Sequence, residues 1–193
     1  MTIVTPKQPP PPTQKPGNQR SVKPSYILVS LVAIVGVTFG MPKLLPISNL
    51  VPQSSLAIDF FNQGKQLSYL EQHQEAIAAY DQALKINPKY ADAWNERGLA
   101  LYSSQRSEEA LAAFDKALEI DPNHYYAWSG RGIALKKLNR NQAATIAFEK
   151  ALKTTDELLK KNNNNSQASY GKGYALVELD RHEEARNAYD KAV

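Results

Sequence analysis

The side chains able to do chemistry are few and scattered. The histidines, His73, His124 and His182, fall in three separate segments. None has a second ligand at metal-binding spacing, and the chain has no cysteine. They read as surface histidines, with no metal site. Glu108-Glu109 and Glu183-Glu184 look like carboxylate pairs for acid–base work. Each pair opens a helical stretch, where the positive helix end favours carboxylates, so they are assigned to the helix dipole. No nucleophile, base and orienting group come together, and no glycine-rich loop is left to cradle a phosphate. No enzymatic activity and no cofactor are therefore expected. What remains is aromatic: ten Tyr, five Phe and two Trp. A tyrosine joins an apolar face to a hydroxyl, which suits capture of a peptide segment.

These aromatics recur at a fixed interval. Ala91–His124 falls on Ala57–Tyr90 when moved 34 residues back and on Tyr125–Leu158 when moved 34 forward. An imperfect fourth copy starts near Ser166 and runs to Val193. Such a period marks stacked supersecondary units. Within Ala91–His124, Trp94, Gly98 and Leu101, then Ala110, Phe114 and Ala117, have helical spacing. The polar stretch Ser103–Ser107 separates the two runs. Ser107 is expected to cap the second run. Asp121-Pro122 is expected to supply the N-cap and first helical position of the next helix. Each unit is thus helix A, a tight turn, helix B and a proline-marked corner.

Small residues share fixed slots. Gly64, Gly98, Gly132 and Gly173 occupy one position of helix A, and Ala76, Ala110, Ala144 and Ala185 one position of helix B. A mid-helix glycine costs roughly 1 kcal/mol against alanine, so its recurrence calls for a packing reason. Close approach of the two backbones of a hairpin is the expected one. Phe60, Trp94 and Trp128 on helix A, with Tyr80, Phe114, Phe148 and Tyr189 on helix B, fill the wider parts.

This pattern resembles the tetratricopeptide repeat (TPR) family, whose unit carries a Trp, a Leu-Gly, a Tyr, an Ala, a Phe, an Ala and a Pro in this order. Repeat two matches at Trp94, Gly98, Ala110, Phe114, Ala117 and Pro122. Repeat one has Phe60 for the Trp, then Gly64, Ala76, Tyr80, Ala83 and Pro88. Repeat three keeps Trp128, Gly132, Ala144, Phe148 and Ala151, with Asp156 where the Pro belongs. Repeat four keeps Gly173, Ala185, Tyr189 and Ala192, with Ser169 at the Trp slot. The resemblance implies an all-α fold, an α-solenoid of antiparallel helix hairpins over residues 57–193, with repeats 57–90, 91–124, 125–158 and 166–193.

The third repeat is irregular. Gly132 to Gly173 is 41 residues, seven more than the period. Leu152, Thr155, Leu158 and Leu159 continue a helical stripe, so helix B of this repeat is expected to reach about Lys161. Asn162–Asn165 then reads as a flexible turn.

In the TPR family helix A lines a concave groove. The resemblance implies a groove carrying Phe61, Asn62, Lys65 and Tyr69 from repeat one, and Asn95, Glu96, Leu99 and Tyr102 from repeat two. Repeat three would add Tyr126, Ser129, Ile133, Lys136 and Lys137, and repeat four Tyr170 and Tyr174. Tyr102 and Tyr174 read equally well as packing between repeats. A TPR subclass grips the C-terminal carboxylate of heat-shock chaperones with a Lys and Asn set. This chain departs from it, with Phe61 at the first clamp Lys and Tyr126 and Gly130 at the later Lys and Arg. A chaperone-tail clamp is therefore disfavoured.

The repeats are preceded by three segments of different character. Residues 1–25 hold seven prolines and four basic residues without an acid, the composition of a disordered proline-rich tail. Residues 26–41 run sixteen positions without a charge, about 24 Å as a helix at 1.5 Å per residue. Extended to residue 45, they predict a single transmembrane anchor or, alternatively, a cleaved signal leading to secretion. The positive charges before the segment place the N-terminus in the cytoplasm and the repeats on the periplasmic or lumenal side. Residues 46–56, with Pro46 and Pro52, form a linker. From residue 54 onward 18 Lys+Arg face 19 Asp+Glu, so the net charge of +4 belongs to the tail and gives no nucleic-acid footprint.

Two functions follow. One is a membrane-anchored scaffold or assembly factor that binds an extended or helical peptide segment of another protein in the groove. The other is a self-associating repeat protein. No polar helix follows repeat four in the sequence, and Ala185, Ala188, Tyr189 and Val193 are then expected to lie open and to stack on a second copy.

Overall fold

The computed structural model describes residues 53–192. Among these, eight helices follow in order: α1 (Gln53–Tyr69), α2 (His73–Ile86), α3 (Ala91–Ser103), α4 (Ser107–Ile120), α5 (Tyr125–Lys137), α6 (Asn141–Lys161), α7 (Ser166–Glu178) and α8 (His182–Asp190). Each odd helix pairs with the even helix after it, and α2, α4 and α6 pack on α3, α5 and α7. The odd helices also touch one another in succession, so they share one face of an all-α solenoid. The first helix begins at Gln53, inside the stretch expected as linker. The expected tail 1–25 and apolar segment 26–45 lie outside the described residues. No helix among the described residues is long and apolar enough to cross a membrane.

The turns within hairpins obey one rule. Glu71, Gln105, Asn139 and Asp180 occupy one slot of the repeat, each with φ between 58° and 62°. A single left-handed residue reverses the chain there, a conformation that strains side chains other than Asn, Asp and Gly. Ser107 does not cap α4. It is already helical and buried, and Arg106 stands at the cap position without a side-chain bond to the helix. The Arg106 guanidinium instead holds Glu109 through two bonds of 2.7 and 2.6 Å. Arg181 does the same to Glu184.

The corners between hairpins also differ from expectation. Asp121 ends α4 and accepts a bond from the Asn123 N–H, and α5 starts only at Tyr125. Pro122 is therefore outside the helix, and its carbonyl accepts the Trp128 indole N–H at 2.9 Å. Trp94 makes the same clasp on Pro88. The true cap is His124: its Nδ1 accepts from the Ala127 N–H, leaving the ring proton on Nε2, which meets Asp92 Oδ1 at 3.0 Å. With its side chain only 9% exposed, His124 is a structural pin rather than a surface histidine.

The recurring glycines make room for rings, not for backbone contact. A Cβ at Gly64 would lie 2.5 Å from Tyr80 Cε1, at Gly98 2.7 Å from Phe114, at Gly132 2.5 Å from Phe148 and at Gly173 2.6 Å from Tyr189. Phe114, fully buried, also presses on Gly130 of the following repeat, so one ring wedges two hairpins together.

The seven extra residues are helical, and α6 runs to Lys161. Seven residues are close to two turns, so the helix face is retained. The ion pairs show this. Asp81–Arg97 and Asp115–Arg131, each 2.7 Å, join a B helix to the next A helix sixteen residues on. On period alone the third acid would be Glu149. Instead Asp156, two turns further, holds Lys172 at 2.6 Å. Asp156 thus does not stand at the corner, as the period suggested. Asn163 does, because Asn162–Asn165 rebuilds the corner of Asp121–His124. The Asn162 side-chain oxygen Oδ1 accepts from the Asn164 N–H, and Asn165 caps α7 by accepting from the Ala168 N–H with its own Oδ1. The asparagine run is a built turn.

Ala185 and Ala188 are not left open. They are 2% and 5% exposed, packed with Leu176, Leu152 and a half-buried Tyr189. Val193 lies outside the described residues.

Candidate functional site

The face shared by α3, α5 and α7 carries a cavity of about 280 Å³. Leu99, Tyr126, Ser129, Ile133, Tyr170 and Tyr174 line its walls, and Gly130 and Gly171 form its floor. Both glycines leave room for a ring beneath them: a Cβ at Gly130 would press on Phe114, and one at Gly171 on Tyr125. Tyr126 and Tyr170 stand at the rim, 41% and 57% exposed, while Ile133 and Tyr174 are half-buried. Both rim rings are backed by another tyrosine: Tyr126 lies 4.2 Å from the Tyr125 ring and Tyr170 5.4 Å from Tyr189.

Ile133 and Tyr174 also border a second hollow of about 410 Å³, with Tyr102, Lys136, Lys137 and Glu178. Here Lys136 Nζ pairs with Glu178 Oε2 at 2.9 Å. Burial, and then the nearby Glu178 carboxylate, push the Tyr174 phenol well above its ordinary range. Tyr174 therefore stays a neutral hydroxyl at any working pH.

The remaining predicted groove residues belong to α1 and the start of α3. Phe61 is half-buried, its ring 4.8 Å from Tyr90 and 6.0 Å from Tyr80. Lys65 lies over the Phe61 ring at 5.7 Å. Asn62 is exposed. Tyr69, at the far end of α1, is 85% exposed and stands apart from the cavity. Asn95 is 2% exposed, and its Nδ2 donates to Glu96 Oε1 at 3.2 Å. Burial raises the Glu96 carboxyl above its usual range, against the pull of Lys65 and the Asn95 bond.

Sequence reasoning missed the floor. Gly130 and Gly171 are 41 residues apart and each stands two before a recurring glycine, so Gly-x-Gly marks both A helices. That doublet was the available signal. Glu178, which fixes Lys136, carried no signal, because the ion pair spans 42 residues. Among the described residues no three His, Asp or Glu side chains are placed to hold a metal.

Two stretches, residues 61–125 and 130–193, match the tetratricopeptide repeat family model, and a further match covers 113–145. The chain belongs to the tetratricopeptide repeat family. Domains of this family generally mediate protein–protein interaction. No curated protein matches the sequence. The Arabidopsis OM64 TPR domain is 22% identical, with a TM-score of 0.56 over 69% of this chain and 98% of that one. The TPR2B domain of yeast Sti1, solved in a complex with pHsp70, is 23% identical, with a TM-score of 0.54 over 72% and 96%. The first TPR of Spaghetti (RPAP3), bound to the HSP90 peptide SRMEEVD, is 18% identical, with a TM-score of 0.53 over 71% and 95%. At these identities the likeness is one of fold.

Proposed function

We propose that this TPR domain is a scaffold that captures a peptide segment of another protein in the α3–α5–α7 cavity. The observation that carries this is an apolar hollow with a glycine floor and two exposed, braced tyrosines at its rim. At about 280 Å³ it falls just below the roughly 300–1,000 Å³ of small-molecule pockets. It suits one or two bulky side chains of an extended or helical peptide, with tyrosine hydroxyls to meet the peptide backbone. Peptide binding by TPR relatives of similar fold supports the reading. The clamp positions held by Phe61, Tyr126 and Gly130 set this groove apart from one for a chaperone carboxylate tail. In the same proposal, the uncharged run 26–41 tethers the scaffold to a membrane, with the N-terminus cytoplasmic and the repeats periplasmic or lumenal.

The test is capture of partners from the native membrane by the full chain and by Tyr126→Ala with Tyr170→Ala. Loss of bound partners in the double variant, with its helical content intact, is the expected result. Retention of every partner overturns the assignment of the groove. Protease protection in sealed vesicles tests the topology, and repeats open to protease from the cytoplasmic side would refute it.

A further inference from the structure

We propose that the groove binds a peptide carrying an arginine or lysine about one helical turn from its apolar anchor. The basic side chain would be received by Glu96 and Asn95. This inference rests on the peptide-binding reading of the α3–α5–α7 cavity and names the chemistry of its ligand.

The repeat itself locates the subsite. Moving the apolar cavity back by one repeat replaces Leu99 with Lys65, Tyr126 with Asp92, Ser129 with Asn95, Gly130 with Glu96 and Ile133 with Leu99. The same geometric position between A helices therefore turns from apolar to polar, with Asp92, Asn95 and Glu96 as acceptors beside Lys65. Leu99 lies one turn along α3 from Asn95, about 6 Å on the helix surface, so the two subsites adjoin.

Two groups there lack what they need. Glu96 is half-buried, yet among the described residues no Lys, Arg or His lies within 4.0 Å of its carboxylate. Lys65 sits over Phe61 instead, and His124 is committed to Asp92 and the cap of α5. The Asn95 amide, 2% exposed, spends its Nδ2 on Glu96 Oε1, while its Oδ1 has no partner. The Nδ2 bond fixes which amide atom is the oxygen. A half-buried carboxylate with no cation in direct contact and a buried carbonyl without a donor both carry a desolvation cost that a donor-only group removes. Guanidinium and ammonium are such groups. The cation takes the free oxygen of Glu96. The Asn95 amide, shielded from solvent in the free chain, swings toward it to offer Oδ1. An acidic peptide is repelled at the same place.

The test is an NMR titration of the ¹⁵N-labelled full chain in detergent micelles. The probes are short acetylated, amidated, alanine-rich peptides with one leucine. The first carries arginine about three residues before the leucine, the second citrulline there and the third glutamate. The arginine peptide is expected to move the Asn95 side-chain amide and the Glu96 and Ile133 backbone signals, and to bind at least about tenfold more tightly than the citrulline peptide. Glu96→Gln is expected to remove that preference. Equal affinity for arginine and citrulline, with Ile133 and Tyr170 still shifting, overturns the basic subsite alone. A preference for glutamate does the same. No shift at Ile133, Tyr126 or Tyr170 with any peptide overturns the groove reading and, with it, this inference.

Discussion

Phe114 is the tightest point of the array, and a double-mutant cycle on it tests the packing account directly. Its ring lies between Gly98 of α3 and Gly130 of α5, fully buried. An alanine at Gly130 places Cβ inside the ring's contact distance, 2.5 Å from Cζ and 2.7 Å from Cδ1. The ring cannot retreat, because Gly98 backs it on the other side. Overpacking of this kind costs about 1–3 kcal/mol. The helix propensity of alanine returns about 1 kcal/mol. With no free direction for the ring, the net loss is set near the upper end, about 2 kcal/mol. Phe114→Leu alone is expected to lose about 1–2 kcal/mol, from buried apolar area and a small cavity. Combined, the two changes relieve each other, since the shorter side chain leaves room for the new methyl. The coupling energy should then be at least about 1 kcal/mol in the favourable direction. Urea unfolding followed by circular dichroism measures it, with the slope checked for a single transition because repeat arrays can lose cooperativity. Additive losses would falsify the wedge. A stabilising Gly130→Ala would show that glycine is placed there for another reason.

The turns and the half-buried carboxylate supply two further tests. Gln105 holds a left-handed backbone, so Gln105→Gly is expected to stabilise the chain by about 1 kcal/mol in urea unfolding, while Asn139→Gly changes little. Equal effects at both sites would refute the conformational argument. Glu96 has its folded pKa raised, so its protonated form is the better-tolerated one, and stability falls as pH rises from the ordinary Glu value of 4.5 through the raised value. Glu96→Gln should therefore raise the urea midpoint at neutral pH. The gain should vanish below pH 4.5, and a gain independent of pH contradicts the assignment to this carboxyl.

Much of the fold was legible before any coordinates. The 34-residue period, the helical stripe through Leu158 and Leu159 and the TPR pattern were all in the letters, because apolar spacing directly encodes which helix face is buried. The residues lining the cavity on α3, α5 and α7 were implied by the TPR resemblance rather than by apolar spacing. Local chemistry was less legible. Ser107 has the right type for a cap, yet the left-handed Gln105 sets the helix start one residue away from where its hydroxyl is useful. Asp121-Pro122 has the letters of a helix start, but the Asp side chain is spent on Asn123 and the proline carbonyl on Trp128. His124 carries no motif, since its bond to Asp92 needs the stacked repeats, and histidine is not among the usual cap residues for its local bond to Ala127. The period misplaced Asp156 for a different reason: the insertion lies inside the helix, not in the corner after it.

That insertion has a consequence at the level of genes. Seven residues are specified by 21 bases, and this length returns a helix to nearly the same rotational phase. Gains or losses of five residues would turn the following repeat by roughly 140° and strip Lys172 and Gly171 of their seats. A TPR gene of this kind can therefore vary the length of a B helix in heptad steps while keeping the face it presents to the next repeat. Each step slides the next hairpin by about 10 Å along its neighbour. The spacing between successive groove subsites thus becomes an adjustable quantity, set by indel length rather than by any single substitution.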